Sequence, residues 1–132
     1  MLTRVRPVLA AEVEDVLRRT IGCALEVHKT LGPGYLESVY HKAMRIELKH
    51  QGLAFKSEHL VNITYRNEVL HGHRIDLVVE DGVIVELKSV ARLEPIHTSQ
   101  LVSYLRAATL RAGLLINFNS EWLRGSFKRV VV

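Results

Sequence analysis

Asp76, Glu86 and Lys88 are charged residues set in stretches that otherwise read as core, Arg74-Ile75-Asp76-Leu77-Val78-Val79 and Val83-Ile84-Val85-Glu86-Leu87-Lys88. What they can do depends on how the two stretches pair. Both carry strong β formers, and Asp81-Gly82 between them signals a tight turn. With a two-residue loop, Asp81-Gly82, Asp76 would face Leu87 and point away from Glu86, because side chains alternate along a strand. With a three-residue loop, Glu80-Asp81-Gly82, and Gly82 left-handed after a type I turn, Val79 faces Val83, Val78 faces Ile84, Asp76 faces Glu86 and Arg74 faces Lys88. Only this second register sorts the residues. It puts Ile75, Leu77, Val79, Val83, Val85 and Leu87 on one face. It puts Arg74, Asp76, Glu86 and Lys88 on the other, with Val78 and Ile84 near the turn. Two carboxylates then stand opposite each other with Cβ atoms roughly 5 Å apart. Bare carboxylates that close repel, so the pair needs a cation or a shared proton. Mg²⁺ is the natural candidate, with Mn²⁺ as its substitute, because it takes oxygen ligands from a few carboxylates and keeps several waters.

The elements that must position this pair are legible from spacing. Apolar residues recur at helical intervals from about Ala10 to Leu31, and Leu31-Gly32-Pro33-Gly34 ends that helix. A second helix is expected from near Tyr35 to about Gln51, closed by Gly52. Residues from about Phe55 to Tyr65 read as a strand, Arg66-Asn67-Glu68 as a turn, and Val69 to Val79 as the next strand. Gly72 inside that strand suggests a bulge or a close backbone approach. After the central hairpin, Glu94-Pro95 marks a break, and a helix follows from about Ile96 to Thr109. Gly113-Leu114-Leu115-Ile116-Asn117-Phe118 has the near-continuous apolar character of a strand covered on both sides. Phe127 to Val132 reads as a short edge strand. A hairpin followed by a crossover helix and another strand implies a mixed sheet with helices packed on it.

A chain of 132 residues is expected to form one domain, 1–132, with a single real core. The formal net charge of +4 permits a polyanionic partner without demanding one. The one cysteine, Cys23, excludes an internal disulfide framework and suits a reducing compartment. Met1 to Pro7 opens no apolar run of signal-peptide length, and no run approaches a membrane span. The expected location is the cytoplasm. His71 and His73 share a strand face, but no clear third ligand for zinc accompanies them.

Asp76 with Glu86-Leu87-Lys88 on the next strand resembles the active-site signature of the PD-(D/E)XK nuclease superfamily. Gly34-Tyr35-Leu36-Glu37-Ser38-Val39-Tyr40 is similar to the motif that names the small GxxExxY family, a branch of that superfamily. Arg74-Ile75-Asp76-Leu77, Gln100-Leu101 with Tyr104, and Gly113 to Phe118 extend the likeness over about Val16 to Val131. No proline precedes Asp76 as the superfamily's name has it; Arg74-Ile75 stand there.

The resemblance implies a restriction-endonuclease-like αβββαβ core of mixed α/β class, with an extra N-terminal helix and a short C-terminal strand. It implies a nuclease in which Asp76, Glu86 and the Leu87 carbonyl bind the metal. Lys88, on the same face as Glu86, orients the attacking water and stabilises charge on the phosphate. Glu37 is a further ligand or a base acting through water. Gln100 and Tyr104 contact the phosphate or the surroundings of Lys88, and Arg74 is a further substrate contact. The partner implied is DNA or RNA; two copies of the chain paired as a homodimer would enlarge the surface that grips it. The competing reading is a non-catalytic nucleic-acid-binding or protein-interaction module on the same fold, with the acidic pair reduced to a structural role.

Overall fold

The computed structural model describes residues 8–132. Met1 to Pro7, which opens no apolar run of signal-peptide length, lies outside that description, as does the side chain of His71. The elements are α1 (Ala11–Leu31), α2 (Glu37–His50), β1 (Phe55–Tyr65), β2 (Glu68–Val79), β3 (Val83–Lys88), α3 (Pro95–Ala108), β4 (Ala112–Asn117) and β5 (Phe127–Val131). This is the expected order.

Each helix is cut where backbone chemistry dictates. α1 buries Leu17, Thr20, Ala24 and Val27, a stripe at helical spacing. It stops at Gly32, whose φ of +69° suits glycine and whose N–H donates to the His28 carbonyl at 2.8 Å. α2 starts two residues later than the sequence suggested. Leu36 is extended, and the Tyr35 N–H donates to the Tyr40 hydroxyl at 3.2 Å rather than entering the helix. α2 ends on Gly52 at φ +73°. There the Leu53 N–H reaches the Leu48 carbonyl at 2.9 Å and the Gly52 N–H the Lys49 carbonyl at 3.1 Å, the pairing of a Schellman cap.

The strands form one five-stranded sheet in the order β1-β2-β3-β4-β5. Neighbours are antiparallel except β3 and β4, which are parallel because α3 crosses between them. α1 and α2 cover one face, burying Leu77, Val79, Val83, Val85, Leu114 and Ile116 beneath them. α3 covers the other, with Leu101 and Leu105 against Ile75, Val78, Ile84 and Leu115. β4 is buried on both sides, as its apolar run implied.

The central hairpin adopts the three-residue loop. Leu77 faces Val85, Val78 faces Ile84 and Val79 faces Val83. The turn differs in detail. Glu80 (φ 51°) and Asp81 (φ 54°) are left-handed, not Gly82. β1 imposes this. The Glu80 N–H donates to the Ala54 carbonyl at 2.8 Å, the Glu80 carboxylate accepts the Ala54 N–H at 2.9 Å, and Lys56 pairs with Asp81 at 3.1 Å. A second correction concerns Ile75. It was expected beside Leu77 and Val79 but packs on the α3 side, because the ladder breaks at Asp76 between them: pairing with β3 ends at Leu77, and Asp76 has no pair on β1. Gly72 does mark a bulge. The β1–β2 register slips between Val61 and Ile63, and a Cβ on Gly72 would lie 3.1 Å from Leu60 Cδ2.

Gly113 lets α3 sit directly on the sheet. A Cβ there would come within 2.9 Å of Leu101 Cδ1 and 3.1 Å of the Ile84 carbonyl oxygen, and Leu101 is fully buried with nowhere to retreat. Gly113→Ala is therefore expected to cost roughly 1–3 kcal/mol, read as a lower urea midpoint at unchanged slope.

Candidate metal centre at the strand fork

β2 and β3 pair regularly only as far as Leu77 and Val85. Past that point the two strands part, and the side chains of Asp76 and Glu86 fill the fork. The Leu87 N–H donates to Asp76 Oδ2 at 2.8 Å. The Asp76 N–H approaches Glu86 Oε1 at 3.4 Å. Asp76 and Glu86 thus meet on one side of the sheet, as the three-residue loop required. Glu86 is only 5% exposed. Burial, then the Asp76 charge and a hydrogen bond with it, push the Glu86 carboxyl up to about 9, against the pull of Lys88. With no cation present, the Asp76–Glu86 pair therefore keeps a proton at neutral pH.

α2 delivers Glu37 as its first residue. Burial and then the Asp76 charge raise its carboxyl above the ordinary range, while Lys88 and His41 oppose the shift. The loop before it is pinned by Tyr40. That ring is fully buried, stacks on Phe118 with centroids 4.6 Å apart, and donates its hydroxyl to the Gly32 carbonyl at 2.6 Å. Gly34 turns this loop at φ +108°. In Gly34-x-x-Glu37-x-x-Tyr40, the glycine and tyrosine shape the support and the glutamate faces the fork. Ser89 adds a bond from its hydroxyl to the Tyr35 carbonyl at 2.7 Å.

α3 closes the opposite side. Tyr104 is 6% exposed. Burial first, then the charges of Glu86 and Asp76, raise its hydroxyl, and a hydrogen bond with Gln100 opposes this. The His73 ring lies 5.9 Å from that of Tyr104. Lys88 influences both Glu86 and Glu37, yet among the described residues it makes no ion pair, which leaves its ammonium available. Arg74 is not opposite Lys88 as expected, because the strands have separated; its guanidinium pairs with Glu58 on β1 at 3.4 Å. One residue escaped the sequence reading altogether. His41, one helical turn after Glu37, places Nε2 3.1 Å from the Asp76 carbonyl oxygen. The shared i, i+4 face was the signal that pointed to it.

The donors suit a hard cation that retains water. A residue's N–H and C=O leave a strand on the same edge. The Leu87 N–H enters the fork, while the Lys88 carbonyl accepts the Phe118 N–H at 2.9 Å on the β4 side. The Leu87 carbonyl therefore opens toward the two carboxylates. Among the described residues, no three His, Cys, Asp or Glu side chains converge as a ready cage. Two carboxylates, one carbonyl and waters match the sparse protein ligation typical of Mg²⁺.

The raised Glu86 carboxyl has a consequence for stability. An acid whose folded value lies above its unfolded one favours folding at low pH and loses that contribution as pH rises toward the folded value. In chelator, wild-type stability is expected to fall between pH 5 and pH 9. Glu86→Gln is expected to flatten that slope and to exceed wild type by more than about 1 kcal/mol at pH 8. Urea denaturation across this range checks both.

Residues 14–130 match the family model of the PD-(D/E)XK nuclease superfamily. No curated protein matches the chain. The crystal structure of SSO0001 superposes with a TM-score of 0.56 at 18% identity, over 71% of this chain and 48% of that one. The chain thus spans about half the length of that protein, and the likeness is one of fold. Among the described residues no helix is long and apolar enough to cross a membrane. Divalent metals are the general cofactors of this superfamily's nucleases, and nucleic acid is their partner. From Glu14 to Val130, this chain belongs to the PD-(D/E)XK nuclease superfamily.

Proposed function

We propose that the chain, taken as one nuclease-like domain over 1–132 and as a member of the GxxExxY branch, is a Mg²⁺-dependent hydrolase of nucleic-acid phosphodiester bonds, with Mn²⁺ able to substitute. The observation that carries this is the meeting of the Asp76 and Glu86 carboxyls at the fork, braced by the Leu87 N–H. The bound cation would supply positive charge at the scissile phosphate and acidify a coordinated water. Asp76, Glu86 and the Leu87 carbonyl would hold it. Lys88, free of ion pairs among the described residues, orients the water and donates to the phosphate oxygens. Glu37, whose carboxyl is raised by burial and by Asp76, serves as a further ligand or takes the proton from the attacking water. Gln100 and Tyr104 donate to the phosphate from α3. Arg74, 68% exposed at its side chain, contacts the nucleic acid outside the pocket.

The formal charge of +4 favours a polyanion over a neutral substrate. Two copies acting as a homodimer would extend the basic surface, and the reducing cytoplasm suits the single cysteine. A second reading, a non-catalytic nucleic-acid-binding or interaction module, draws on the absence of a third converging acidic or imidazole ligand among the described residues.

Calorimetric titration with Mn²⁺ separates the two. Wild type is expected to bind at millimolar levels or better, and Asp76→Ala to lose that binding. With Mn²⁺ present, wild type is expected to cut a plasmid or an RNA oligomer. Lys88→Ala is expected to retain the metal and cut about a hundredfold more slowly. No Asp76-dependent binding would remove the enzyme reading, and binding without cleavage of either substrate would favour the second.

A further inference from the structure

Asp76 stands where the sheet loses its hold on the chain from both sides. On the β3 side the ladder stops at Leu77 and Val85. On the β1 side Ser57 pairs with Leu77 and His59 with Ile75, but the pair between them, Glu58 with Asp76, is missing. Glu58 is left-handed at φ 51° and cannot continue the pleat. A strand residue without ladder partners on either side lacks the backbone bonds that fix its peptide plane, and its side chain turns with that plane. Yet the Asp76 carboxylate has to stay fixed if it is to share a ligand with Glu86.

His41 fills this gap. It is half-buried on α2, and its Nε2 lies 3.1 Å from the Asp76 carbonyl oxygen and 3.3 Å from Ser57 Oγ. A carbonyl oxygen only accepts, so Nε2 carries the proton and donates it to Asp76. Ser57 is the last β1 residue paired before the gap, so the imidazole ties α2 to both strands at the break. The bond carries the Asp76 peptide where a ladder bond would otherwise have done so. An unpaired carbonyl in this half-buried place would also carry a desolvation penalty.

We propose that His41 is a positioning residue for Asp76: by holding the Asp76 peptide from α2, it aims the carboxylate at the fork. The importance of that aim rests on the metal reading above; the hold itself does not. Two measurements on the full chain keep them apart. The first is amide hydrogen exchange in chelator, because the Leu87 N–H is bonded to the Asp76 carboxylate at 2.8 Å and reports its position without any metal. In His41→Ala the Leu87 amide is expected to exchange about tenfold faster or more, with the β4 amides unchanged. His41→Gln, which keeps an N–H at similar reach, is expected to restore protection. Unchanged Leu87 exchange in His41→Ala overturns the proposal. So does acceleration spread evenly over β4, which would mark only a weaker fold.

The second measurement is the Mn²⁺ titration. His41→Ala is expected to bind about tenfold more weakly than wild type, the usual scale for a group behind a ligand, and His41→Gln to lie close to wild type. Equal affinity in His41→Ala and wild type overturns the proposal and leaves the metal reading standing. Selective Leu87 deprotection in a protein that binds no Mn²⁺ at all sinks the metal reading and upholds the His41 hold.

Discussion

Two carboxyl groups share a space from which water is largely excluded, and the arrangement around them answers to that constraint. Glu86 is almost entirely buried, and its neighbour Asp76 raises the free energy of its ionised form further. Such a pair persists only with a proton or a cation between its members. The strands part at this level, so the backbone groups nearby are served by side chains. The Leu87 N–H finds the Asp76 carboxylate, and the Asp76 carbonyl finds His41. A continuous ladder would have filled the same space with backbone and left no room for a ligand.

The fold brings four elements to this point for different physical reasons. β2 and β3 supply the carboxyls because a three-residue turn sets their register. α2 supplies Glu37 and His41 because Tyr40, Phe118 and Gly32 lock the loop ahead of the helix. α3 supplies Tyr104, with Gln100 bonded to its hydroxyl, and approaches closely because Gly113 has no side chain beneath Leu101. Asn117 closes the set: its amide accepts from the Val90 N–H at 3.1 Å and donates to the Val90 carbonyl at 3.0 Å, fixing the chain just past Lys88.

The sheet, its helices and the meeting of Asp76 with Glu86 could be read from residue spacing, because side-chain alternation and aliphatic sorting are local rules. What escaped depended on partners distant in sequence. Glu80 and Asp81 take the left-handed positions in place of Gly82 because Ala54, just before β1, and Lys56, on it, bond to them. Ile75 changes sides and Arg74 turns to Glu58 because β2 leaves β3 at Leu77, a divergence that no pairing pattern announces. His41 does not stand out in the sequence, because a histidine on an amphipathic helix carries no signature of the carbonyl it will meet. Its spacing from Glu37 becomes informative only once Glu37 is placed at the fork. The GxxExxY string was legible as a motif, while the division of labour inside it, two residues for support and one for the site, needed the packing of Tyr40.

The central claim is that the Asp76–Glu86 pair holds a proton when empty and releases it to a cation. Proton release on adding Mn²⁺ to unbuffered protein near pH 7.5, followed by pH-stat, tests this most directly. About one proton per bound ion is expected from wild type, and none from Glu86→Gln. Mn²⁺ binding to wild type with no proton released would contradict the claim, because the ion would then be sitting somewhere other than between these two carboxyls.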